Sequence, residues 1–444
     1  MSDIQSRPYW LDQLGPAPSF SDDLPAKVDV LIVGAGYTGL NAAIETARAG
    51  RSTLVVDAED AGFGCSTRNG GQISTSVKPS LEKLTARFGS DKARAIRGEG
   101  VRALGWIADF VAAEGLDCDF RRAGRFHAAH TPHHYEDLVR NADKMRTQEG
   151  IESFAVPRSE QRTELGTDSY FGGVVFPDHC SLHPAKYHRE LLRLALGARA
   201  QVVGHCPVTA IERTGAGFKA LTPKGTVAAR DVIVATNGYT TNLVPWLRRR
   251  VIPIGSYIIV TEELPRDLVD RLFPTGRIAS DTCKVVYYYR TTPDRRRLCF
   301  GGRVTAGEAD PAVSAPRLYA AMCRIFPEIA DYGITHAWNG TVAYSFDEMA
   351  HTGVHDGIHY ALGYCGSGVS MGSYLGMRAG QKVLGLAMGR TAFDDLPHPT
   401  RPLYTGKPWF LPATVAWYRW KDSREHRKAM QTRQRKDTPS DQPI

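Results

Sequence analysis

A strand, a glycine-rich turn and a helix near the start of the chain constrain its fold more than any other feature. The apolar, β-branched run Val28–Val33 is typical of a buried strand. It leads directly into the spacing Gly34-x-Gly36-x-x-Gly39, and apolar residues then recur at helical spacing. A second short strand ends on Asp57. Together these elements form a βαβ unit of about 30 residues.

This unit predicts a dinucleotide-binding fold. Gly34 permits the tight turn, Gly36 lets a pyrophosphate approach the backbone, and Gly39 allows close packing of helix and strand. The helix that begins near Tyr37 offers its unpaired N–H groups to the phosphates. Asp57 is placed to accept hydrogen bonds from ribose hydroxyls, which argues against a 2′-phosphate.

A second glycine-rich turn favours FAD over NAD. The turn GYCGSG (363–368) follows a predicted strand at 358–362 and opens a predicted helix at 369–388. FAD gains from a second helix N-terminus, because helix dipoles stabilise both its pyrophosphate and one edge of its isoalloxazine ring. The alternative is that this turn only joins a strand to a helix.

Composition excludes several other classes of protein. Hydrophobic residues make up 42% and charged residues 23% of the 444, which are ordinary globular values. No apolar run approaches the roughly 18 residues of a membrane helix. We see no secretory signal at the start of the chain and expect a cytoplasmic protein. The eight cysteines form no CxxC pair, and the histidines lack carboxylates at ligand spacing, so no metal site is expected.

The formal charge of +8 is concentrated near the end of the chain. Residues 419–436 hold eight basic residues against Asp422 and Glu425. Such a run is more often a solvated helix face than a binding arm, so we expect no nucleic-acid partner. The aromatic residues beside it indicate either a membrane-interface helix or an aromatic clasp packed over the nucleotide-binding domain. They are Trp409, Phe410, Trp417, Tyr418 and Trp420.

The order of strand and helix patterns predicts an α/β fold (α+β overall) with two interleaved domains. A Rossmann-like, FAD-binding domain is expected to alternate with a substrate domain built on a mainly antiparallel sheet. The FAD-binding domain is assigned residues 1–85, 150–245 and 350–400, the substrate domain 86–149 and 246–349, and the C-terminal aromatic segment and basic tail 401–444.

Eight segments carry a family pattern, in the family's order, over most of the chain. They are VDVLIVGAGYTGLNAAIETARAG (28–50), GFGCSTRNGGQ (62–72), DVIVATNGYT (231–240), PIGSYIIVTE (253–262), RLCFGGR (297–303), WNGTVAYSFDEMAHTG (338–353), GYCGSGVSMGSYLG (363–376) and PWFLP (408–412). The chain resembles the D-amino-acid oxidase/glycine oxidase superfamily of FAD-dependent amine oxidoreductases. Within that superfamily it resembles the γ-glutamylputrescine oxidoreductase-like proteins. The resemblance implies a glutathione-reductase-2-like fold, and it favours the aromatic clasp.

The resemblance also implies which residues hold FAD. They are Gly34, Gly36, Tyr37, Thr38, Gly39, Asp57, Ala58, Ser66, Thr67, Arg68, Asn69, Gly70, Gly71, Gln72, Val208, Ala235, Thr236, Asn237, Gly366, Ser367, Gly368 and Val369. For Arg68 and Asn69 the alternative is a pair that stabilises the loop.

The chain departs from the sarcosine oxidase branch of this superfamily at two points. Those relatives attach flavin through a cysteine in the segment that matches 338–353, where this chain has none. Noncovalent FAD is therefore expected, with Cys65 and Cys365 as the other candidates for attachment. Those relatives also carry a lysine that promotes the reaction with O2, whereas the matching strand Leu298–Gly302 has no lysine. The electron acceptor is accordingly O2 or another molecule.

The strand-rich insertion at 245–345 is expected to lie over the flavin and to supply the substrate contacts. Tyr257, Tyr289, Arg290 and His351 are the first candidates, and Tyr287 and Tyr288 are further ones. Arg290 suits a substrate carboxylate. Alternation along KVVYYYR puts Tyr289 on one face of its strand, with Tyr288 and Arg290 on the other. The alternatives are sheet packing for the tyrosines and a surface ion pair for Arg290.

The expected reaction is FAD-dependent oxidation of an amine C–N bond by hydride transfer to flavin N5. It gives an imine that hydrolyses to an aldehyde or keto product plus an amine or ammonia. The first-choice substrate is a γ-glutamylated polyamine such as γ-glutamylputrescine. Oxidation of an N-methylated amino acid, a D-amino acid or a hydroxy acid in the same fold is the alternative. A further alternative is a flavin-binding subunit, or a nucleic-acid-associated protein, with little turnover of its own. The sequence leaves the oligomeric state open.

Overall fold

The computed structural model describes residues 4–16, 23–302 and 310–437, with side chains up to residue 431. Residue 303 of RLCFGGR and the end of the basic tail, 438–444, lie outside the described residues. The described strands are β1 (Lys27–Val33), β2 (Thr53–Val56), β3 (Gln72–Ile73), β4 (Arg125–Ala128), β5 (Phe154–Val156), β6 (Gly173–Phe176), β7 (Cys180–Ser181), β8 (Gln201–Val203), β9 (Ala210–Thr214), β10 (Gly217–Thr222), β11 (Gly225–Val234), β12 (Ile252–Thr261), β13 (Ile278–Asp281), β14 (Tyr287–Thr291), β15 (Leu298–Gly302), β16 (Ile334–Tyr344), β17 (His351–His355) and β18 (Ile358–Leu362). The described α-helices are α1 (Tyr9–Asp12), α2 (Tyr37–Arg48), α3 (Cys65–Arg68), α4 (Leu81–Phe88), α5 (Ser90–Ala113), α6 (Pro132–Glu149), α7 (Pro184–Gly197), α8 (Pro245–Arg248), α9 (Arg266–Leu272), α10 (Pro311–Ile325), α11 (Gly368–Val383) and α12 (Leu411–Asp437).

The first sheet is the predicted nucleotide-binding sheet. Its parallel strands lie in the order β8-β2-β1-β11-β18, β17 is an antiparallel edge, and the hairpin β9–β10 joins β11. Helices α2, α7 and α11 pack together on one face. The sequences of the central strands are continuous apolar runs, because both faces of these strands are buried. The Rossmann-like prediction is confirmed.

The second sheet has the order β16-β12-β15-β14-β13-β4-β6-β5. Its pairs are antiparallel except for β13 with β4, so the mainly antiparallel prediction is also confirmed. One face packs against α9 and α10 in an apolar cluster. On the opposite face His127, Ser280 and Tyr288 are register neighbours and form a row across three strands.

The domain boundaries differ from the predicted ones at two places. Strands β5 and β6 lie within the stretch 150–245 assigned to the FAD-binding domain, yet they pair in the second sheet. Helix α5 lies within 86–149 but packs against α11 of the nucleotide-binding domain. Short strands such as β5 give little local signal, because their partners are distant in sequence.

The last described element, α12, runs along the second sheet's side of the molecule. The Asp422 carboxylate accepts hydrogen bonds from the backbone N–H groups of Lys284 (3.0 Å) and Val285 (2.9 Å) and so ties this helix to the loop before β14. None of the described helices, α12 included, has both the length and the apolar content that crossing a bilayer requires.

Candidate active site

A single large cavity connects the two sheets. Its volume is about 1450 Å³, and it extends from Gly34 and Asp57, at the carboxyl ends of β1 and β2, to Arg125 and Tyr288 on the second sheet. Ligand pockets are commonly about 300–1000 Å³. The cavity therefore has room for an extended ligand and a second, smaller one.

In the first glycine-rich turn the backbone at Gly39 packs closely against the backbone at Gly34. Gly34 has φ +108°, and a Cβ on Gly39 would lie 1.9 Å from the Gly34 carbonyl oxygen. Helix α2 begins after Gly36, which has no side chain to bond the first-turn amides. The Tyr37 N–H donates to Ser66 Oγ (3.0 Å) from the neighbouring loop. The start of α2 therefore faces the cavity with space for an anion.

Asp57 lies on the cavity wall at the end of β2. Its carboxylate accepts hydrogen bonds from the backbone N–H groups of Ala35 (2.7 Å) and Glu59 (3.1 Å). Burial raises its pKa, and the two amides act in the opposite direction. The side chain is thus held in place beside the start of α2.

The second glycine-rich turn meets the same cavity. Gly363 and Gly366 have positive φ angles of +77° and +97°, and the Gly363 N–H donates to Asn237 Oδ1 (2.9 Å). The hydroxyls of Thr38 and Tyr364 share a hydrogen bond (2.8 Å) that links the start of α2 to this turn. The N-termini of α2 and α11 therefore line one cavity.

Most of the residues assigned to the cofactor line the cavity. Of those named from the resemblance, all except Gly39, Thr67 and Gly71 do so. Gly39 packs behind the turn, Thr67 donates to the Gly62 carbonyl oxygen (2.7 Å), and a Cβ on Gly71 would lie 2.1 Å from the Leu182 carbonyl oxygen. These three shape the wall from behind.

Arg68 and Asn69 line the cavity and also stabilise their own loop. Asn69 Nδ2 donates to the carbonyl oxygen of Cys65 (2.9 Å), and its Oδ1 accepts from the Gly71 N–H (2.8 Å). Arg68 Nε donates to the carbonyl oxygen of Phe63 (2.6 Å). The hydrogen bonds of Arg68 and Asn69 are thus those expected of the alternative interpretation, a pair that stabilises the loop.

Arg125 is a cation with no acidic partner at the far end of the cavity. Its Nη2 donates to Gln72 Oε1 (3.3 Å), and its buried Nε has no hydrogen-bond partner among the described residues. Within that same part of the chain no carboxylate forms an ion pair with it. Burial lowers its pKa to about 10, so the guanidinium remains charged at neutral pH.

The histidines beside Arg125 are held neutral. Burial and the charge of Arg125 lower the pKa of His127 to about 4, and the same two causes lower the pKa of His179 well below its usual range. His127 Nδ1 lies 2.9 Å from Ser280 Oγ. Arg125 is therefore a cation beside two neutral histidines, an arrangement that suits a carboxylate.

The predicted substrate residues lie elsewhere, so those assignments need correction. Tyr257, Tyr289, Arg290 and His351 do not line the cavity. Tyr257 is buried in the core beneath the sheet, where Tyr289 stacks on Phe300 with ring centroids 5.4 Å apart. Both tyrosines therefore pack in the apolar cluster on one face of the second sheet.

Arg290 and His351 are occupied by structural contacts. The Arg290 guanidinium donates to the carbonyl oxygens of Gly71 (3.0 Å), Leu182 (2.8 Å) and Thr291 (3.1 Å). His351 Nε2 lies 2.9 Å from Asp347 Oδ1, and its ring stacks on His398. Neither side chain is available to hold a substrate.

Tyr288 is the tyrosine of KVVYYYR that reaches the cavity, and its hydroxyl shares a hydrogen bond with Ser256 Oγ (2.8 Å). The alternation along β14 is as predicted, with Tyr288 on the face opposite Tyr289. Alternation alone did not show which of the two faces turned to the site.

The C-terminal segment closes one side of the cavity. Phe410, Leu411, Thr414 and Tyr418 line it. The apolar residues of this segment pack mainly with β12 and β16 of the second sheet, and Trp409, Trp417 and Trp420 are exposed. These contacts differ from the predicted aromatic clasp over the nucleotide-binding domain.

The same helix brings together a group that the sequence did not reveal. Potential ligand atoms of His130, His134 and Glu425 lie within 4.8 Å of one another. The expectation of no metal site was based on spacing within local segments, and spacing could not show this contact across some 290 residues of chain.

The structure also shows which cysteines and lysines reach the cavity. Cys65 lines the cavity, with its Sγ 3.1 Å from the Thr341 carbonyl oxygen, whereas Cys365 is buried behind the wall. Strand β15 carries no lysine, but Lys78 and Lys284 reach the cavity from other segments. A lysine is therefore present at the site despite its absence from the expected strand.

A buried acid predicts how stability depends on pH. Burial raises the pKa of Asp281 to about 7, although the N–H groups of Tyr287 and Cys283 act in the opposite direction. The unfolded chain has a pKa near 3.9 for this group. Because the folded-state pKa is the higher one, the contribution of Asp281 to stability is full below about pH 4 and is lost as the pH rises through 7.

Asp281→Asn should therefore gain stability relative to the parent as pH rises, by a few kcal/mol between about pH 5 and pH 8. Thermal unfolding of both proteins at these two pH values measures the gain. Asp117→Asn, which changes an exposed carboxylate, is the control and should show no such trend. An equal effect of Asp281→Asn at both pH values would contradict the assignment.

Comparisons with known proteins agree with this architecture. The family model described as FAD dependent oxidoreductase (DAO) matches residues 29–381. The chain is 31% identical over 408 residues to gamma-glutamylputrescine oxidoreductase of Escherichia coli, covering 89% of this chain and 92% of that protein. It is 30% identical over 402 residues to the probable oxidoreductase OrdL of Rhizobium meliloti, with the same two coverages. Glycine oxidase from Geobacillus kaustophilus has a similar structure, with a TM-score of 0.72 at 19% identity over 85% of this chain and 99% of that one.

The cavity fits the cofactor of this family. It combines a glycine turn too tight for a Cβ at Gly39, two helix N-termini and the buried carboxylate of Asp57. Its volume of about 1450 Å³ exceeds the common 300–1000 Å³ of ligand pockets, as a site for both a dinucleotide and a substrate requires. The chain belongs to the DAO family of FAD dependent oxidoreductases and is itself an FAD-dependent oxidoreductase.

Proposed function

We propose that the protein oxidises an amine whose far end carries a carboxylate, with γ-glutamylputrescine as the first-choice substrate. The observation that carries this proposal is Arg125, a half-buried side chain whose Nε is buried and whose guanidinium has no acidic partner among the described residues. A γ-glutamyl group brings an α-carboxylate, which can occupy the free donors of such a guanidinium. The 31% identity to gamma-glutamylputrescine oxidoreductase supports the same substrate class.

The shape of the cavity supports an extended substrate. The cavity lining includes Gly34 at the first sheet and Arg125 at the second, and Ser256, Tyr288 and Tyr418 line it as well. In this proposal the substrate carboxylate binds Arg125 and the amine end of the molecule reaches the flavin. Small amino acids place the carboxylate and the reacting carbon next to each other, so they make less use of this length.

The chain's own groups prepare the amine for oxidation. Partial desolvation of the amine within the cavity favours its neutral form, because desolvation disfavours the ammonium form. The closed wall of α12 limits the access of water, and Arg125 fixes the orientation of the substrate. Bound FAD supplies the chemistry by accepting a hydride from the carbon next to nitrogen, after which water hydrolyses the imine to an aldehyde and ammonia.

We also propose that FAD is held noncovalently. Its proposed contacts are the residues of the two glycine-rich turns and the loop 66–72. Cys65 borders that loop and lines the cavity, but its thiol already lies against the Thr341 carbonyl oxygen. Acid precipitation should therefore leave yellow flavin in the supernatant.

The visible spectrum of the purified protein, recorded without oxygen, tests the substrate class. We expect γ-glutamylputrescine to bleach the oxidised flavin bands much faster than putrescine, which lacks the carboxylate. N-methylated and D-amino acids complete the panel and represent the alternative substrates. Bleaching by one of these alone would replace the polyamine proposal, and bound flavin that nothing in the panel reduces would contradict it.

Admitting air to the reduced protein separates an oxidase from a dehydrogenase. Rapid return of the flavin bands indicates that O2 is the acceptor. Slow return indicates that another molecule receives the electrons. Lys78 and Lys284 are the lysines whose substitution then tests for a role in the O2 reaction, since both line the cavity.

A further inference from the structure

The outer side of the C-terminal segment exposes large aromatic side chains. Trp409, Trp417 and Trp420 are 73%, 58% and 47% exposed, and nearby Leu403 is 90% exposed. Tryptophan is usually well buried, so several exposed tryptophans in one segment indicate a surface that meets another phase or partner. We call these four residues the tryptophan face.

The inner and outer sides of α12 have separate roles. Thr414, Tyr418 and Asp422, spaced four residues apart, face the cavity and the loop before β14. Trp417 and Trp420 lie on the other side of the helix and stack with ring centroids 5.0 Å apart. The tryptophan face is thus not needed to anchor the helix to the protein.

Charge on α12 is divided in the same way. The outer side continues from Trp420 to the exposed residues Arg424, Arg427 and Lys428, and the Arg424 guanidinium lies 5.3 Å from the Trp420 ring centroid. The acids of this region turn inward: Asp422 accepts two backbone N–H groups, and Glu425 lies 3.7 Å from His130 Nε2. The exposed side is therefore aromatic at one end and cationic at the other.

We propose that α12 and the tryptophan face bind the surface of an anionic lipid bilayer. Tryptophan favours the membrane–water interface, and arginine and lysine attract acidic head groups. Because α12 as a whole is polar, its exposed tryptophans would enter the interface while the helix stays on the surface. A second copy of the chain is a poorer occupant, because two cationic faces would repel each other. The proposal does not rest on the substrate named above.

Co-sedimentation of the full-length, flavin-loaded protein with lipid vesicles tests this proposal. Vesicles of phosphatidylcholine alone are compared with vesicles that also contain phosphatidylglycerol. We expect binding to the anionic vesicles, weakening as NaCl is raised. The double variant Trp417→Ala/Trp420→Ala should bind roughly tenfold more weakly or worse, and Arg424→Gln/Arg427→Gln/Lys428→Gln should lose the salt dependence.

Matched controls change similar residues elsewhere on the surface. Met388→Ala removes an exposed apolar side chain (61% exposed), and Arg213→Gln/Lys219→Gln removes two exposed cations from the hairpin β9–β10. Both should bind vesicles like the parent. Flavin absorbance and the melting temperature check that every variant is folded.

Any of three results would overturn the proposal. The first is failure of the parent to bind anionic vesicles at low salt, and the second is equal binding by the parent and the tryptophan variant. The third is a concentration-dependent dimer in sedimentation velocity that Trp417→Ala/Trp420→Ala abolishes while vesicle binding is absent. That third result would make the tryptophan face an interface between copies of this chain.

Discussion

Gly39→Ala should yield a protein that no longer retains FAD. The new Cβ would lie 1.9 Å from the Gly34 carbonyl oxygen, well inside van der Waals contact. Neither atom can rotate away, because the oxygen belongs to the backbone and the Cβ is bonded directly to Cα. Helix α2 must then move off β1, which displaces the amides at its N-terminus from the cavity. Overpacking of this kind costs about 1–3 kcal/mol or more in stability. The flavin-to-protein absorbance ratio after gel filtration and the melting temperature report the two effects.

Gly105→Ala is the matched control for that experiment. Gly105 lies inside α5, and a Cβ there meets nothing within 4 Å. Since alanine favours the helix over glycine, this variant should keep FAD and gain roughly 0.5–1 kcal/mol. If Gly39→Ala retained flavin as well as Gly105→Ala does, the close approach of α2 to β1 would not govern cofactor binding.

Arg125→Gln should lower kcat/KM for γ-glutamylputrescine by about 100-fold or more, because charged hydrogen bonds lost in a buried site cost about 2–5 kcal/mol. Glutamine keeps a polar side chain at the cavity wall but loses the charge and the paired donors. Arg125→Lys should fall in between, since it keeps the charge without the planar pair. Steady-state kinetics and anaerobic flavin reduction measure the effect.

The decisive comparison is between substrates. For putrescine, which has no carboxylate, Arg125→Gln should change kcat/KM far less. Arg122→Gln, three residues earlier and exposed, should leave both substrates unaffected. An equal loss on both substrates, with flavin content unchanged, would mean that Arg125 supports the site without binding the carboxylate.

The cofactor half of the molecule could be predicted because its determinants are local. Strand β1, the glycine turn, helix α2 and Asp57 occupy one short stretch, and each element has its own pattern of residues. Local spacing also showed that a second glycine-rich turn opens α11. The fold class and the domain interleaving followed from the same patterns together with the family resemblance.

The substrate half could not be predicted in this way. Arg125 lies on β4, a strand of four residues whose partners β6 and β13 are far along the chain. In its segment RFHA the polar residues Arg125 and His127 alternate with apolar ones. This short pattern was the one sign in the sequence that their side chains share a face of the strand, and it is weak. Arg290 had the chemistry expected of a carboxylate clamp, but its strand directs it at the backbone of Gly71 and Leu182. The pairing of distant strands decides that Arg125 faces the cavity and Arg290 does not, and the sequence alone does not show that pairing.

Helix α12 is also the last described part of the protein to be synthesised. Every strand of the nucleotide-binding sheet precedes residue 363, and domains generally fold as they emerge from the ribosome. The sheet and its glycine turns can therefore form while the side of the cavity that Phe410 and Tyr418 will close is still open. We expect FAD to enter through this gap, so that docking of α12 then slows the release of the cofactor. A variant that ends at residue 410 should accordingly bind flavin but exchange it rapidly.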